Sequence, residues 1–306
     1  MNNFSSLLNE FLLYLKIEKN LSANSIEAYN RDLNQFHSYL ASYFKKDELE
    51  LSDLKELKIE KILKFFEYLR NDLKIRESSI ARKLSAIKTF YKYLNLENFI
   101  DENLTHLILT PKFSRKLPEY LSPYEVELLL NAPDTNKIEG IRDKAILELL
   151  YATGIRVSEL INLKIDEINF DEKLILVKGK GSKYRWVPFS DVAKNWLLLY
   201  LQNVRHKLNK AANADDTFFL NHKGQKFTRQ GINFLINYYT KKIGIKKKIS
   251  PHKLRHSFAS HLLLNGSDIR FVQELLGHSN ITTTQIYTYV TNLKLREEFH
   301  KYHPHG

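Results

Sequence analysis

The 306-residue chain contains no cysteine. Disulfides, thiolate nucleophiles and thiolate metal sites are thereby excluded, and a reducing compartment such as the cytoplasm fits. No apolar run reaches the roughly 20 residues that a bilayer-spanning helix takes. The opening MNNFSSLLNEF lacks a charged segment followed by a cleavable apolar one. A soluble, unprocessed, cytoplasmic protein is expected. Carboxylates are also in short supply. Against 47 Lys and Arg stand 35 Asp and Glu, giving a formal charge of +12 and a pI near 9.4. Such an excess favours a polyanionic partner, and nucleic acid comes first because phosphate neutralisation drives its binding. On charge alone, Lys-rich solvated faces are the alternative. What the chain does have is 43% hydrophobic residues, with 18 Phe and 17 Tyr. That excludes a disordered chain and, at this length, supplies the cores of two domains.

The first hundred residues read as helices. Leu7, Leu8, Phe11, Leu12 and Leu15 form one apolar stripe, and Ile26, Tyr29, Leu33, Phe36 and Leu40 form a second behind the capping candidates Ser22 and Asn24. A third runs through Ile80, Leu84, Ile87, Phe90 and Leu94. The segment LTPKFSRKLPEYLSPYE then breaks the periodicity with Pro111 and Pro118 among basic residues, as an extended linker does. The next helix has a clear start: Ser122 as N-cap, Pro123 at the first helical position and Glu125 completing a capping box. Beyond it, KLILVKGKGSKYRWVPF reads as a hairpin with strands at Leu174–Val177 and Tyr184–Val187. Its tip carries Lys178, Lys180 and Lys183. The fold class is therefore mainly α with a small β-sheet (α+β). The expected division is a helical domain over 1–107, a linker over 108–120 and a mixed domain over 121–306.

ISPHKLRHSFASHLLLNG holds the densest chemistry. Leu254, Phe258 and Leu262 recur as a buried helix face does, yet His252, Arg255, His256 and His261 sit among them. Ser250 as N-cap and Pro251 at the first position put His252 and Arg255 in the first turn, three apart and on one face. Free N–H groups there favour an anion. His256 and His261 are read as buried, hydrogen-bonded histidines. Zinc on His252 and His256 lacks the acid of an H-E-x-x-H motif, because Lys253 stands there, and a cation would sit beside Arg255. Three further segments stand out. Arg156 follows a helix break at Gly154 in YATGIRVSELINL. His278 follows Gly277, a left-handed C-cap, in LLGHSN. Tyr287 and Tyr289 lie in TTTQIYTYV, and their spacing alone does not separate them.

The ordered set Arg156, Lys180, His252, Arg255, His278 and Tyr287 resembles the tyrosine recombinase (phage integrase) family, Xer type. The matching stretches are TGIRVSEL, GKGSKYRWVP, SPHKLRHSFASHLL, LLGHSNITTTQIYTYV and, near the N-terminus, LSANSIEAYNRDL. The likeness covers nearly the whole chain. It implies a helical core-binding (SAM-like) domain and a catalytic domain that close around DNA as a clamp. The implied reaction is cleavage of one strand by tyrosine, leaving a 3′-phosphotyrosyl bond and a free 5′-hydroxyl. In that scheme Tyr287 is the nucleophile, Arg156 and Arg255 clamp the phosphate, and Lys180 protonates the leaving oxygen. His252 is an acid/base and His278 a phosphate hydrogen-bond donor. No metal and no cofactor are implied, the arginines standing in for metal ions. The implied partners are double-stranded DNA with a pseudo-palindromic site, a tetrameric synapse of recombinases, a XerC-like paralogue and the FtsK translocase.

The expected function is resolution of chromosome or plasmid dimers at a dif-like site. An integrase or invertase of a mobile element would share the chemistry, and a non-catalytic architectural DNA-binding protein is the reading from another class. At the chain end, Leu295, Phe299 and Tyr302 make an apolar stripe on TNLKLREEFHKYHPHG. A docking tail that inserts into a neighbouring recombinase is expected there, rather than one that folds back on its own domain.

Overall fold

The computed structural model describes residues 3–109, 120–179, 184–209, 216–247, 249–277 and 297–305. Lys180, Lys183, His278, Tyr287, Tyr289, Leu295 and most of the expected linker lie outside the described residues. The chain divides into two compact units, Met1–Lys116 and Leu117–Gly306.

The first unit is helical: α1 (Phe4–Ile17), α2 (Ala23–Phe44), α3 (Leu51–Lys55), α4 (Ile59–Asn71) and α5 (Glu77–Leu96). Asn3 caps α1 by accepting from Ser6 N at 2.8 Å. Of the two candidates before α2, Ser22 is the cap, accepting from Ser25 N at 3.3 Å, while Asn24 lies inside the helix. The apolar stripes point inward. Phe4, Leu7, Phe11, Phe36, Phe65 and Phe90 are all fully buried. Phe11 and Phe90 meet edge to face with ring centres 5.3 Å apart. Each such side chain contributes about 1.5–3 kcal/mol by leaving water, and favourable ring geometry adds to that.

The second unit opens with α6 (Pro123–Leu130), whose capping box forms as expected: Ser122 Oγ accepts from Glu125 N, and Glu125 Oε2 accepts from Ser122 N at 2.8 Å. Behind it lie α7 (Ile138–Thr153), α8 (Val157–Asn162), α9 (Asp191–Tyr200) and the short α10 (His206–Leu208), with a π-helical turn at Leu201–Arg205 between the last two. Then come α11 (Arg229–Lys242), α12 (Pro251–Leu264) and α13 (Ile269–Leu276). The hairpin is present as β2 (Leu174–Lys178) and β3 (Tyr184–Pro188), each one residue longer than expected, with Lys178 opposite Tyr184. A two-residue strand, β1 (Ile168–Asn169), joins the far edge of β2 to give an antiparallel β1-β2-β3 sheet. Two residues are too short to show alternation, which is why β1 is invisible in the sequence. The central element is α7. It is buried on all sides from Arg142 to Thr153, and its charges are paired inside: Lys144 Nζ sits 2.8 Å from Glu148 Oε1, and Tyr239 donates to Asp143 Oδ2 at 2.8 Å.

The end of the chain bears on the tail expectation. Residues 297–302 are helical and pack on their own unit. Phe299 is 1% exposed and belongs to the unit's core, against which Tyr302 is partly buried. His303 stacks on Phe299 with ring centres 4.6 Å apart, and Asn265 Nδ2 donates to Tyr302 O at 2.8 Å. Phe299 and Tyr302 thus have a cover within their own unit, one made by tertiary contacts that sequence periodicity does not report.

Candidate active site

Two left-handed glycines set up the site. Gly154, at φ +58°, ends α7, and a β-carbon there would come within 2.3 Å of the Phe258 ring. The chain therefore turns tightly against α12 and delivers Arg156 as the N-cap of α8. Gly277, at φ +65°, ends α13 immediately before His278. Positive φ of this kind costs any residue with a β-carbon, and glycine is the usual solution at a helix end.

The start of α12 has its expected form. Ser250 Oγ accepts from Lys253 N at 3.3 Å and Pro251 occupies the first turn. His252 is exposed there, while Arg255, one turn later, is 7% exposed. Arg255 Nη1 donates to Gly154 O at 2.6 Å and Nη2 to Leu276 O at 2.5 Å. Arg156 Nη2 donates to Gly277 O at 3.3 Å. A third guanidinium completes a series: Arg185 of β3 donates from Nε to Leu275 O at 2.9 Å. Three consecutive carbonyls at the C-terminal end of α13, Leu275, Leu276 and Gly277, thus each accept from a different arginine. A helix leaves its last carbonyls without intrahelical donors and carries partial negative charge at that end, so cations are favoured there.

One carboxylate holds the group together. Glu159 of α8 accepts from Arg156 N at 2.8 Å and Arg156 Nη1 at 3.0 Å, and from Arg185 Nη1 and Nη2 at 2.9 and 3.0 Å. Burial pushes its carboxyl pKa up, but the bonds and charge of Arg185, helped by the Arg156 N–H and charge, outweigh that and hold it below its ordinary value. Glu159 is therefore ionised at neutral pH. Three guanidiniums face this single carboxylate, an excess of two positive charges. Burial, followed by repulsion from Arg156, lowers the Arg255 pKa to about 10, which still leaves it charged at neutral pH. A partly buried excess of fixed cations is a ready anion site, and a phosphodiester fits its sign and its fork geometry.

Of the six residues singled out in the sequence, the structure brings Arg156 and Arg255 to the same helix end and leaves His252 exposed on the helix that carries Arg255. Lys180, His278 and Tyr287 lie outside the described residues, which end here at Gly277. Glu159 and Arg185 were missed as participants. The spacing Arg156-x-x-Glu159 across a helix start was the available signal for Glu159, since an acid at the third position reaches back to the cap N–H. No local signal pairs Glu159 with Arg185, 26 residues away. The two other histidines part company. His261 is buried, with Nδ1 2.8 Å from Tyr151 Oη and Nε2 2.8 Å from Leu121 O. His256 is only half-buried, its ring edge-on to Tyr120, which corrects its reading as a core histidine. Another unread feature is an acid-free span. Between Asp216 and Asp268 there is no carboxylate, while ten Lys and Arg occur.

The phage integrase family model matches residues 119–293, and that of the phage integrase N-terminal SAM-like domain matches residues 8–98. The chain belongs to the phage integrase family. It is a tyrosine recombinase, an enzyme that cleaves and rejoins DNA strands. The tyrosine recombinase XerD of Listeria innocua is 43% identical over 300 residues, covering 98% of this chain and 99% of that protein. XerD of Staphylococcus haemolyticus is 42% identical over 299 residues, with 98% and 99% covered. A crystal structure of the XerH site-specific recombinase bound to difH substrate, a pre-cleavage complex, superposes with a TM-score of 0.67 at 25% identity. It covers 96% of this chain and 83% of that one. The recombinase fold thus carries the arginine cluster, and among the described residues no helix is long and apolar enough to cross a membrane.

Proposed function

We propose that this recombinase is of the XerD kind and resolves chromosome or plasmid dimers at a pseudo-palindromic, dif-like site. The observation that carries its chemistry is the convergence of Arg156, Arg185 and Arg255 on one helix end with only Glu159 to balance them. In the proposed reaction the Tyr287 hydroxyl oxygen attacks the scissile phosphorus. The bond from phosphorus to the 5′-oxygen breaks, and a 3′-phosphotyrosyl link forms. Free tyrosine has a pKa near 10 and is a weak nucleophile at neutral pH, so its proton must be taken. His252, exposed on the first turn of α12, serves as the acid/base for that transfer. Lys180 gives the leaving 5′-oxygen its proton. Such transfers are typically worth about 10²–10⁴-fold.

Attack builds negative charge on the non-bridging oxygens. Arg156 and Arg255 meet it with donors fixed before the substrate arrives, which is where such donors contribute most. His278 adds a hydrogen bond to the same phosphate. Because the phosphotyrosyl link conserves the diester energy, a 5′-hydroxyl from another strand can displace Tyr287 and rejoin the DNA. That exchange needs several recombinases on paired sites. The proposed partners are double-stranded DNA, further copies, a XerC-like paralogue and a translocase of the FtsK kind. The match to XerD over nearly the full length of both chains supports this assignment over a mobile-element integrase.

The decisive test is Tyr287→Phe, which removes only the hydroxyl. A suicide duplex nicked beside the scissile phosphate traps covalent protein. The variant is expected to bind its half-site as the parent does and to form no adduct. Adducts that persist in Tyr287→Phe but vanish in Tyr289→Phe would move the nucleophile two residues along the chain.

A further inference from the structure

We propose that Arg185 is a positioning residue for the phosphate clamp, fixing through Glu159 and the end of α13 where Arg156 and Arg255 present their guanidiniums. The inference rests on the recombinase reading above, which uses Arg185 only as one charge of the cluster, and gives that residue a role of its own.

Arg185 lies on β3 between exposed Tyr184 and half-buried Trp186, with its own side chain turned inward. A charge in that position is costly unless every bond is well made. An apolar residue would fill the same space without that cost, so packing alone does not account for an arginine. Its three bonds run to two different elements. Two of them grip the Glu159 carboxylate in parallel, and the third reaches Leu275 O. Each Glu159 oxygen is shared: Oε1 takes Nη1 of both Arg156 and Arg185, while Oε2 takes the Arg156 N–H and Arg185 Nη2. Half of the carboxylate's bonding is thereby committed to Arg185. Without it, the whole acceptor capacity and the whole negative charge would fall to Arg156, drawing that guanidinium toward Glu159 and neutralising it.

The second contact acts on α13. Gly277 lies against the Arg185 guanidinium so closely that a β-carbon would come within 3.1 Å of Cζ. Arg185 therefore also sets the turn whose carbonyls hold Arg255 and Arg156 and which leads into His278. It stands on the strand that follows the Lys180 segment, so one side chain ties that strand to both halves of the clamp. A lysine in its place keeps the charge and loses the parallel fork.

The test uses the full chain and two suicide duplexes, one with an ordinary scissile phosphate and one with a methylphosphonate there. The methylphosphonate is neutral and presents no anionic charge to clamp. Arg185→Gln is expected to bind its half-site as wild type does and to lose about 10²-fold in adduct formation on the ordinary duplex, as displaced catalytic groups do. Arg185→Lys should lose less. On the methylphosphonate duplex both deficits should shrink to within about tenfold, following the pattern of Arg156→Ala. Equal deficits on the two duplexes would mean that Arg185 only supports the fold, and no deficit on either would remove it from the mechanism. Should Arg185→Gln fail to fold, Arg185→Lys decides alone. A wild-type protein that forms no adduct on either duplex would overturn the recombinase reading and this inference with it. Wild-type cleavage with indistinguishable Arg185 variants would overturn the inference only.

Discussion

Asp32 in the helical unit and Glu159 in the catalytic unit are both buried carboxylates bonded by cations, yet they serve different ends. Asp32 of α2 accepts from Lys83 Nζ at 2.9 Å and from Arg82, both on α5. Asp32 and Lys83 are 1% and 5% exposed, so the pair joins two helices at their packed faces. Glu159 is bonded by cations too, but those cations have further acceptors. Arg156 and Arg185 also bond the end of α13, where Arg255 joins them. In the first unit a buried charge makes a joint. In the second, the same kind of joint gathers guanidiniums at a helix end, where the proposed clamp would take a phosphate. The difference lies in a larger surplus of cations and in the helix end that helps to hold them.

Conservative substitutions should separate these roles. Arg255→Lys keeps the charge but loses the planar fork and the two carbonyl bonds. Adduct formation at saturating DNA is expected to fall by about 10²–10³-fold, the range for loss of one fixed donor at a developing oxyanion. Half-site affinity and its salt dependence should change little, because the phosphate charge is still matched. Single-turnover cleavage alongside a salt titration measures both. Asp32→Asn should do the reverse. It leaves Lys83 buried without its anion, which costs about 3 kcal/mol and shifts the urea midpoint of the helical unit downward. The adduct rate of the folded, DNA-saturated variant should stay near wild type. A large cleavage defect in Asp32→Asn, or an unchanged rate in Arg255→Lys, would erase the distinction between joint and clamp.

How much of this was legible depended on range along the chain. Local chemistry was readable: Ser22, Ser122 and Ser250 cap helices, Pro123 and Pro251 open them, and Gly154 and Gly277 close them in the left-handed conformation. Each of these rests on bonds between residues at most four apart. Arg156 and Arg255 stood out locally, one after a helix break and one in a first turn, but only an ordered motif linked them. What brings them together is Leu276 and Gly277 at the end of α13, which no periodicity announces. Glu159 with Arg185, and Phe299 with the core, are contacts between distant segments, so pattern reading had no purchase on them. His256 failed for a related reason. Helical spacing put it near Leu254 and Phe258, but which flank of the stripe faces the core is settled by neighbouring elements.

A buried polar group need not be charged, and the chain end supplies the contrast to both carboxylates. His303 is 5% exposed, donates from Nε2 toward Tyr151 O at 3.4 Å and accepts at Nδ1 from His305 N at 3.0 Å. Around it stand Phe258, Phe299, His261, His300 and His305, with Glu148 engaged by Lys144 and 3.8 Å from His305 Nδ1. Burial lowers the His303 pKa to about 3, the bond to Tyr151 opposes that, and the neighbouring histidines push it the same way as burial. Burial lowers the pKa of His261 as well. The sign follows from the neutral form being the one that fits. An unfolded histidine titrates near 6.5, so above that pH the packing is fully available, and it is lost progressively as pH falls toward 3. At pH 5 the penalty from His303 is about 2 kcal/mol, since the unfolded ring is already mostly protonated and the packed one is not. Opening of residues 297–305 releases His303 to solvent, so amide exchange there should rise between pH 7 and pH 5 before the rest of the catalytic unit opens. His303→Phe keeps a ring against Phe299 and has nothing to protonate. Its stability difference between pH 7 and pH 5 should be smaller than wild type's by about the same 2 kcal/mol. If the two proteins lose stability equally on acidification, His303 does not carry the effect.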